Sequence, residues 1–395
     1  LLQNNPRILS IDAFRGITIF VMVFVNDLAG TPGLPAWMGH MPANADAMSF
    51  VDVVFPAFLF IAGMSIPFAL QNRLQKGDSF LQLQWHIAWR ALGLLTLGFF
   101  MVNGEDGYNE TASGLPLHLW LLLFYAAAIL TWNVYTFKNK TWQYVFRFTG
   151  IAGLMILAFI YRSGDGSSYM RPHWWGILGL IGWAYLYSCI FYQVCKGNII
   201  LLLTMVILCT AFYIISKQSF VQDNDNLHWM GSQAGNAAHT SVMLCGAVLS
   251  QIFFTKKTTA AIGTRFIWAG LFMAALFSAG YIIRPYYKIS KIYATPTWCL
   301  YSAGFCVIIF SLLYWLTDLK GKKKWTGFFK PAATNPLLTY IIPGILFSFF
   351  SICRITIFPA QFRYGIYGIL WSLFFSVVVM YIAKGFNKLQ IRMQL

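Results

Sequence analysis

The chain has 395 residues, of which 58% are hydrophobic and only 10% charged. A soluble domain carries about 25% charged residues, so a water-soluble globule is excluded. The formal net charge of +16 is spread over many short loops between apolar runs, which argues against a nucleic-acid partner.

Apolar runs of the length a helix needs to cross a bilayer recur along the chain. The first, 11–28, opens with Asp12 and Arg15 and closes on Asn26 and Asp27. A polar Gly/Pro-rich loop follows, carrying Trp37 and His40, and Asp52 opens the second run, 52–70. Further runs lie at 87–103, 117–135, 145–161, 174–194, 198–216, 238–254, 264–283, 298–317, 334–352 and 365–383. The pattern predicts an all-α, polytopic integral membrane protein of about twelve transmembrane helices. The 7 cysteines sit in or beside these runs without CxxC or metal-ligand spacing, and read as small buried hydrophobes rather than as a metal site.

Charge orients the set. With the N-terminus cytoplasmic, the inner links hold 20 of the 28 basic residues and the outer loops the other 8. The positive-inside rule then predicts that both termini and the Lys320–Lys330 link face the cytoplasm. The longer outer loops, 29–51, 104–116, 162–173 and 217–237, are rich in Gly, Asn, Asp and Trp, so an acceptor site opens outward. No Walker-type phosphate loop and no GxGxxG occurs, and Asn109-Glu110-Thr111 is a glycosylation sequon by pattern only.

The outer ends of the first two runs place Asn26, His40 and Asp52 near one face. Acyl transfer to an amine or hydroxyl needs a base or a nucleophile, and neutral imidazole can be either near pH 7. Asp52 could hold the imidazole tautomer, and the Asn26 amide could donate to a developing oxyanion. The plainer readings are an interfacial His40 satisfied by water and an Asp52 that caps its helix. Asp12 and Arg15, three apart on one helical face, are expected to pair. His239, at the start of the eighth run, is the next histidine of interest. Trp37 or Trp229 could stack on a sugar ring.

Arg7, Ser10, Asp12, Arg15 and Gly16, then Met22-Val23-Phe24-Val25-Asn26, His40, Asp52, Val54-Phe55-Pro56, Phe60, Gly63 and Ser65 follow one another in an order and approximate spacing that resembles the transmembrane acetyltransferases typified by heparan-α-glucosaminide N-acetyltransferase and its bacterial relatives. Weaker traces continue at Arg90 and Val102-Asn103, then at Ser290-Lys291, Trp325-Thr326-Gly327 and Asn335-Pro336-Leu337. The resemblance implies a single transmembrane acyltransferase domain over 1–395, with a family-like part at 1–160, C-terminal helices at 238–395, and ten family-like spans plus an extra hairpin at 174–216. It implies acetyl-CoA as donor, a glucosamine-type amine as acceptor, no metal, and a multi-pass bacterial inner-membrane protein for which a homodimer is open. On this reading His40, Asn26 and Asp52 are catalytic. Arg7, Asp12, Arg15 and Arg90 serve the donor, and Lys291 contacts its acyl end or an anionic acceptor. Trp37, Asn335 and His239 serve the acceptor, although Asn335-Pro336 also reads as helix initiation. Family-like sequence follows the first run where a cleavage site would stand, so that run is not a cleavable signal. A secondary transporter or flippase is the rival class. It predicts ionisable groups at mid-membrane, and every Asp and Glu here lies in a loop or near a run end.

Overall fold

The computed structural model describes residues 8–105, 107–137, 139–255, 262–356 and 363–393. Among these the chain is helical, with isolated bridges in place of strands. In the bilayer core a backbone must satisfy its own hydrogen bonds, and the helix does so within one segment.

The helices in chain order are α1 (Leu9–Leu28), α2 (Val51–Gln75), α3 (Phe80–Glu105), α4 (Glu110–Ser113), α5 (Leu117–Trp132), α6 (Lys140–Ile160), α7 (Ile177–Val194) and α8 (Ile199–Ser216). They continue with α9 (Ser219–Gln222), α10 (Trp229–Phe254), α11 (Ile262–Ile283), α12 (Pro296–Tyr314), α13 (Thr326–Thr334), α14 (Pro336–Ile352) and α15 (Gly365–Lys388). A π turn over Trp315–Leu319 extends α12. Among the described residues 10 helices are long and apolar enough to cross a membrane. Helices α13 and α14 are apolar enough only when taken together and meet at 86°, and α5 is apolar but only 16 residues long. Every one of the twelve apolar runs falls on a helix. Two helices begin well before their runs, α3 at Phe80 and α10 at Trp229, because a helix does not stop where its side chains turn polar.

The chain divides into two compact units. The first takes the described residues up to Thr18 together with Pro35–Trp89 and Trp183–Gly327. Its centre is α10, which is buried along nearly its whole apolar length and packs on α2, α8 and α12. The α2–α10 seam is tight. A Cβ on Gly63 would run into the backbone carbonyl of Met243, and one on Gly246 into that of Phe60. Ser250 closes the seam by donating its hydroxyl to the Met64 carbonyl at 2.7 Å. Small residues bring helix backbones together where lipid supplies no hydrophobic drive.

The second unit takes Ile19–Leu34, Arg90–Gly182 and the described residues from Phe328 onward. Here α5 packs on α6 and α14, and α14 on α15. Val23, Ile342, Phe375, Val379 and Ala383 form a buried cluster, and the Trp120 indole donates to the Leu157 carbonyl at 3.0 Å.

Candidate active site

Two stretches of the first unit build the site: the loop leading into α2 and the segment between α11 and α12. The loop makes a single 3-10 turn over Ala36–Met38 and reaches His40. Its far end is tied down at Ser49, whose hydroxyl donates to the Gly39 carbonyl at 2.8 Å and accepts the Val51 N–H at 3.2 Å.

Asp52 stands in the first turn of α2, where the positive end of the helix dipole favours a carboxylate. Its Oδ2 accepts the Ser49 N–H at 3.0 Å and the Met41 N–H at 3.3 Å. Its Oδ1 lies 2.7 Å from Nδ1 of His40. Asp52 does not cap α2, whose N-cap is Phe50 without a side-chain bond; one oxygen holds the loop backbone that leads into the helix and the other faces the imidazole. Asp52 is 1% exposed at its side chain and His40 is 42% exposed. The carboxylate is therefore sealed behind the ring while the imidazole faces out. The Trp298 indole anchors the carbonyl of Asp52 at 3.1 Å from the first turn of α12.

An ionised carboxylate only accepts, so Nδ1 carries the hydrogen and Nε2 of the neutral ring holds the lone pair. Lys291 Nζ lies 2.9 Å from Nε2 and 3.1 Å from Nδ1, within hydrogen-bond reach of the ring. Lys291 is half-buried. Burial pushes its ammonium below the usual lysine range, and the nearby charge of Asp52 opposes that shift. The backbone around Lys291 is a closed turn: Thr295 N–H reaches the Ser290 carbonyl at 3.0 Å, and Thr295 Oγ1 accepts the Ser290 N–H at 3.0 Å.

A brace joins the two stretches. Arg284 Nε donates to the Asp46 carboxylate at 3.2 Å, and the Ile289 N–H donates to the same group at 2.8 Å. The Ile289 bond foremost, with Arg284 beside it, holds the Asp46 carboxyl below its ordinary range. Asp46 adopts a left-handed backbone, φ +47, which a short polar side chain tolerates better than most.

The other sequence-predicted residues are distributed as follows. Trp37 is exposed, with its ring centroid 5.8 Å from that of Phe50. Arg15 pairs with Asp12 at 3.2 Å, as the spacing predicts, and also donates to Ser65 Oγ at 2.6 Å. Asn26 is exposed in the last turn of α1, and Arg90 is half-buried on α3; both belong to the second unit. Arg7 lies outside the described residues. His239 is not at a helix start. It sits ten residues into α10, 4% exposed, with Phe55 and Trp298 edge-on at 5.2 and 6.2 Å. Asn335 is fully buried between α13 and α14. Its amide donates to Asn387 Oδ1 at 3.1 Å and to the Ile391 carbonyl at 2.9 Å, and accepts the Met393 N–H at 3.2 Å. Both its N–H groups are spent on the C-terminal segment.

Sequence reasoning missed the contact of Lys291 with His40 and the role of Asp46 and Arg284. The available signal was the density of polar and basic residues in Arg284–Lys291, within an otherwise apolar half of the chain.

The family model described as Domain of unknown function (DUF5009) matches residues 7–240. The chain belongs to this family. The match runs through α7 and α8 as well as the His40 loop. The chain is also 39% identical over 98 residues to human heparan-alpha-glucosaminide N-acetyltransferase, which is 25% of this chain and 14% of that protein. The mouse protein of the same name is 34% identical over 101 residues, 26% of this chain and 15% of its own length. The chain thus matches about a seventh of each of these curated relatives.

Proposed function

We propose that the protein is a membrane acetyltransferase that moves an acetyl group from acetyl-CoA to the amine of a glucosamine-type sugar. The observation that carries this reading is the His40–Asp52 pair. A carboxylate on Nδ1 leaves Nε2 as the basic nitrogen of an exposed imidazole. The named activity of the human and mouse relatives supplies the reaction class.

The chemistry is a direct transfer. Nε2 takes a proton from the acceptor amine as its nitrogen attacks the thioester carbonyl. The buried Asp52 carboxylate stabilises the imidazolium that forms, and the imidazolium returns the proton to the departing CoA thiolate. In this reading Arg7 and Arg15 take the donor's phosphates, with Asp12 orienting Arg15. Trp37, packed on Phe50, offers an apolar face to the sugar ring. The donor comes from the cytoplasm and the acceptor from the outer side of a bacterial inner membrane, with both termini cytoplasmic. The outward excess of long polar loops and the inward excess of basic residues support this arrangement.

The test is direct. Purified protein incubated with acetyl-CoA and glucosamine is expected to release CoA and form N-acetylglucosamine, and His40→Ala to cut this by about a hundredfold or more. A folded wild-type preparation that forms no acetylated amine rules the reading out.

A further inference from the structure

We infer that Lys291 is itself an acyl acceptor: its amine occupies the position of the acceptor nitrogen and takes an acetyl group in cis when no sugar is bound. This rests on the acetyl-CoA reading above.

General-base catalysis of amine acylation requires the amine within about 2.6–3.2 Å of the base. Lys291 Nζ meets that requirement at 2.9 Å from Nε2, the nitrogen that Asp52 leaves available. The stem is presented by a turn closed between Ser290 and Thr295, and the segment is held to the His40 loop by the Asp46 brace. The amine is therefore delivered to the base rather than sampling it. Burial adds to this by raising the share of neutral amine, the nucleophilic form. Lys288, three residues earlier, is exposed and has none of this placement.

The step balances as follows. The ammonium first loses one proton to solvent. The neutral Nζ attacks the thioester carbonyl carbon, forming the N–C bond and breaking the C–S bond. A second N–H proton passes to Nε2 and then to the CoA thiolate, leaving acetyl-lysine, free CoA and neutral His40. The product is an amide that His40 has no means to hydrolyse, and the cation at the site is gone. Lys291 and the acceptor sugar therefore compete for one place beside Nε2. A donor supplied without acceptor stalls the enzyme in an acetylated form.

The experiment uses purified full-length protein and isotopically labelled acetyl-CoA, with and without glucosamine. Peptide mass spectrometry reads acetyl on Lys291 and Lys288, and product analysis reads acetylated glucosamine. The expected result is labelling of Lys291 at least about tenfold above Lys288, as proximity to a base implies. Glucosamine suppresses this label, and His40→Gln or His40→Ala removes it. Suppression by glucosamine is read on wild type and does not depend on a variant's folding. Equal labelling of the two lysines in a preparation that acetylates glucosamine overturns the inference and leaves the acetyltransferase reading standing. Labelling of Lys291 that survives loss of His40 overturns it too. Acetyl on neither glucosamine nor Lys291 removes both.

Discussion

Asp46 and Arg284, 238 residues apart in the chain, meet with the carboxylate oxygens 3.2 and 3.3 Å from the guanidinium Nε. Arg284 also donates through Nη2 to the Asp46 carbonyl at 3.2 Å. With the Ile289 N–H on the same carboxylate, this pair ties the loop that carries His40 to the segment that carries Lys291.

Asp46→Ala should therefore loosen the Lys291 turn from the His40 loop without unfolding the protein. Both partners are partly exposed, so the expected loss of global stability is under about 1 kcal/mol. The readouts are acetyl label on Lys291 in the absence of sugar and the melting temperature. A melting temperature near wild type with labelling of Lys291 reduced about tenfold is expected, in line with misplacement of the amine relative to its base. The pH dependence has a definite sign. The folded Asp46 carboxyl titrates below its unfolded value, so the brace is fully present above the ordinary carboxylate range and is lost as pH falls through the lower, folded value. The stability gap between wild type and Asp46→Ala, read as melting temperature, should therefore close as pH falls through that range. A gap that is independent of pH would count against the brace.

Asp52→Asn tests the tautomer. The asparagine oxygen can still accept the Ser49 and Met41 N–H groups that Asp52 Oδ2 takes. Its NH2 would instead face Nδ1, forcing the ring hydrogen onto Nε2 and removing the base. Transfer should fall about a hundredfold or more. The double variant with His40→Ala should lose little beyond either single variant, because the two act as one unit. Additive losses in kcat would show that Asp52 acts independently of His40.

The α2–α10 seam should tolerate no side chain at Gly63 or Gly246. Gly246→Val forces the backbones apart, at a cost of about 1–3 kcal/mol or more. Gly235 lies on the same helix with open space around it. Gly235→Ala should be neutral or stabilising, by up to about 1 kcal/mol of helix propensity. Thermal unfolding followed by size-exclusion separates the two. A Gly246→Val protein that melts with wild type would show that the seam is loose.

Cys353 offers a native probe of orientation, being the exposed cysteine among seven while the rest are buried. An impermeant maleimide should label it from outside intact cells. In a Cys353→Ser background, Lys323→Cys should label only after permeabilisation. Labelling of Lys323→Cys on intact cells inverts the topology and puts the His40 loop in the cytoplasm.

The rough positions of the apolar helices were legible in the linear pattern, since helix formation in lipid answers to local hydropathy and to hydrogen bonds four residues apart; the expected twelve spans exceed the 10 helices long and apolar enough, because α5 is short and the α13–α14 pair is sharply bent. The Asp12–Arg15 pair was legible for the same reason, being a one-turn contact. His40 and Asp52 were legible as polar residues crowded at two helix ends. Their division of labour was not, because it depends on which carboxylate oxygen meets Ser49 and which meets the imidazole. His239 stood out as polar beside an apolar run, and the earlier start of α10 at Trp229 moves it into the packed middle of the helix. Asn335 stood out as a helix starter, and packing spends its amide on the returning C-terminal segment. Lys291 carried no local sign of its place at Nε2, 251 residues from His40. That convergence comes from close packing of α2, α10 and α12, from the Trp298 anchor on Asp52 and from the Asp46 brace. Such contacts join positions hundreds of residues apart, and no periodicity within a single run encodes them.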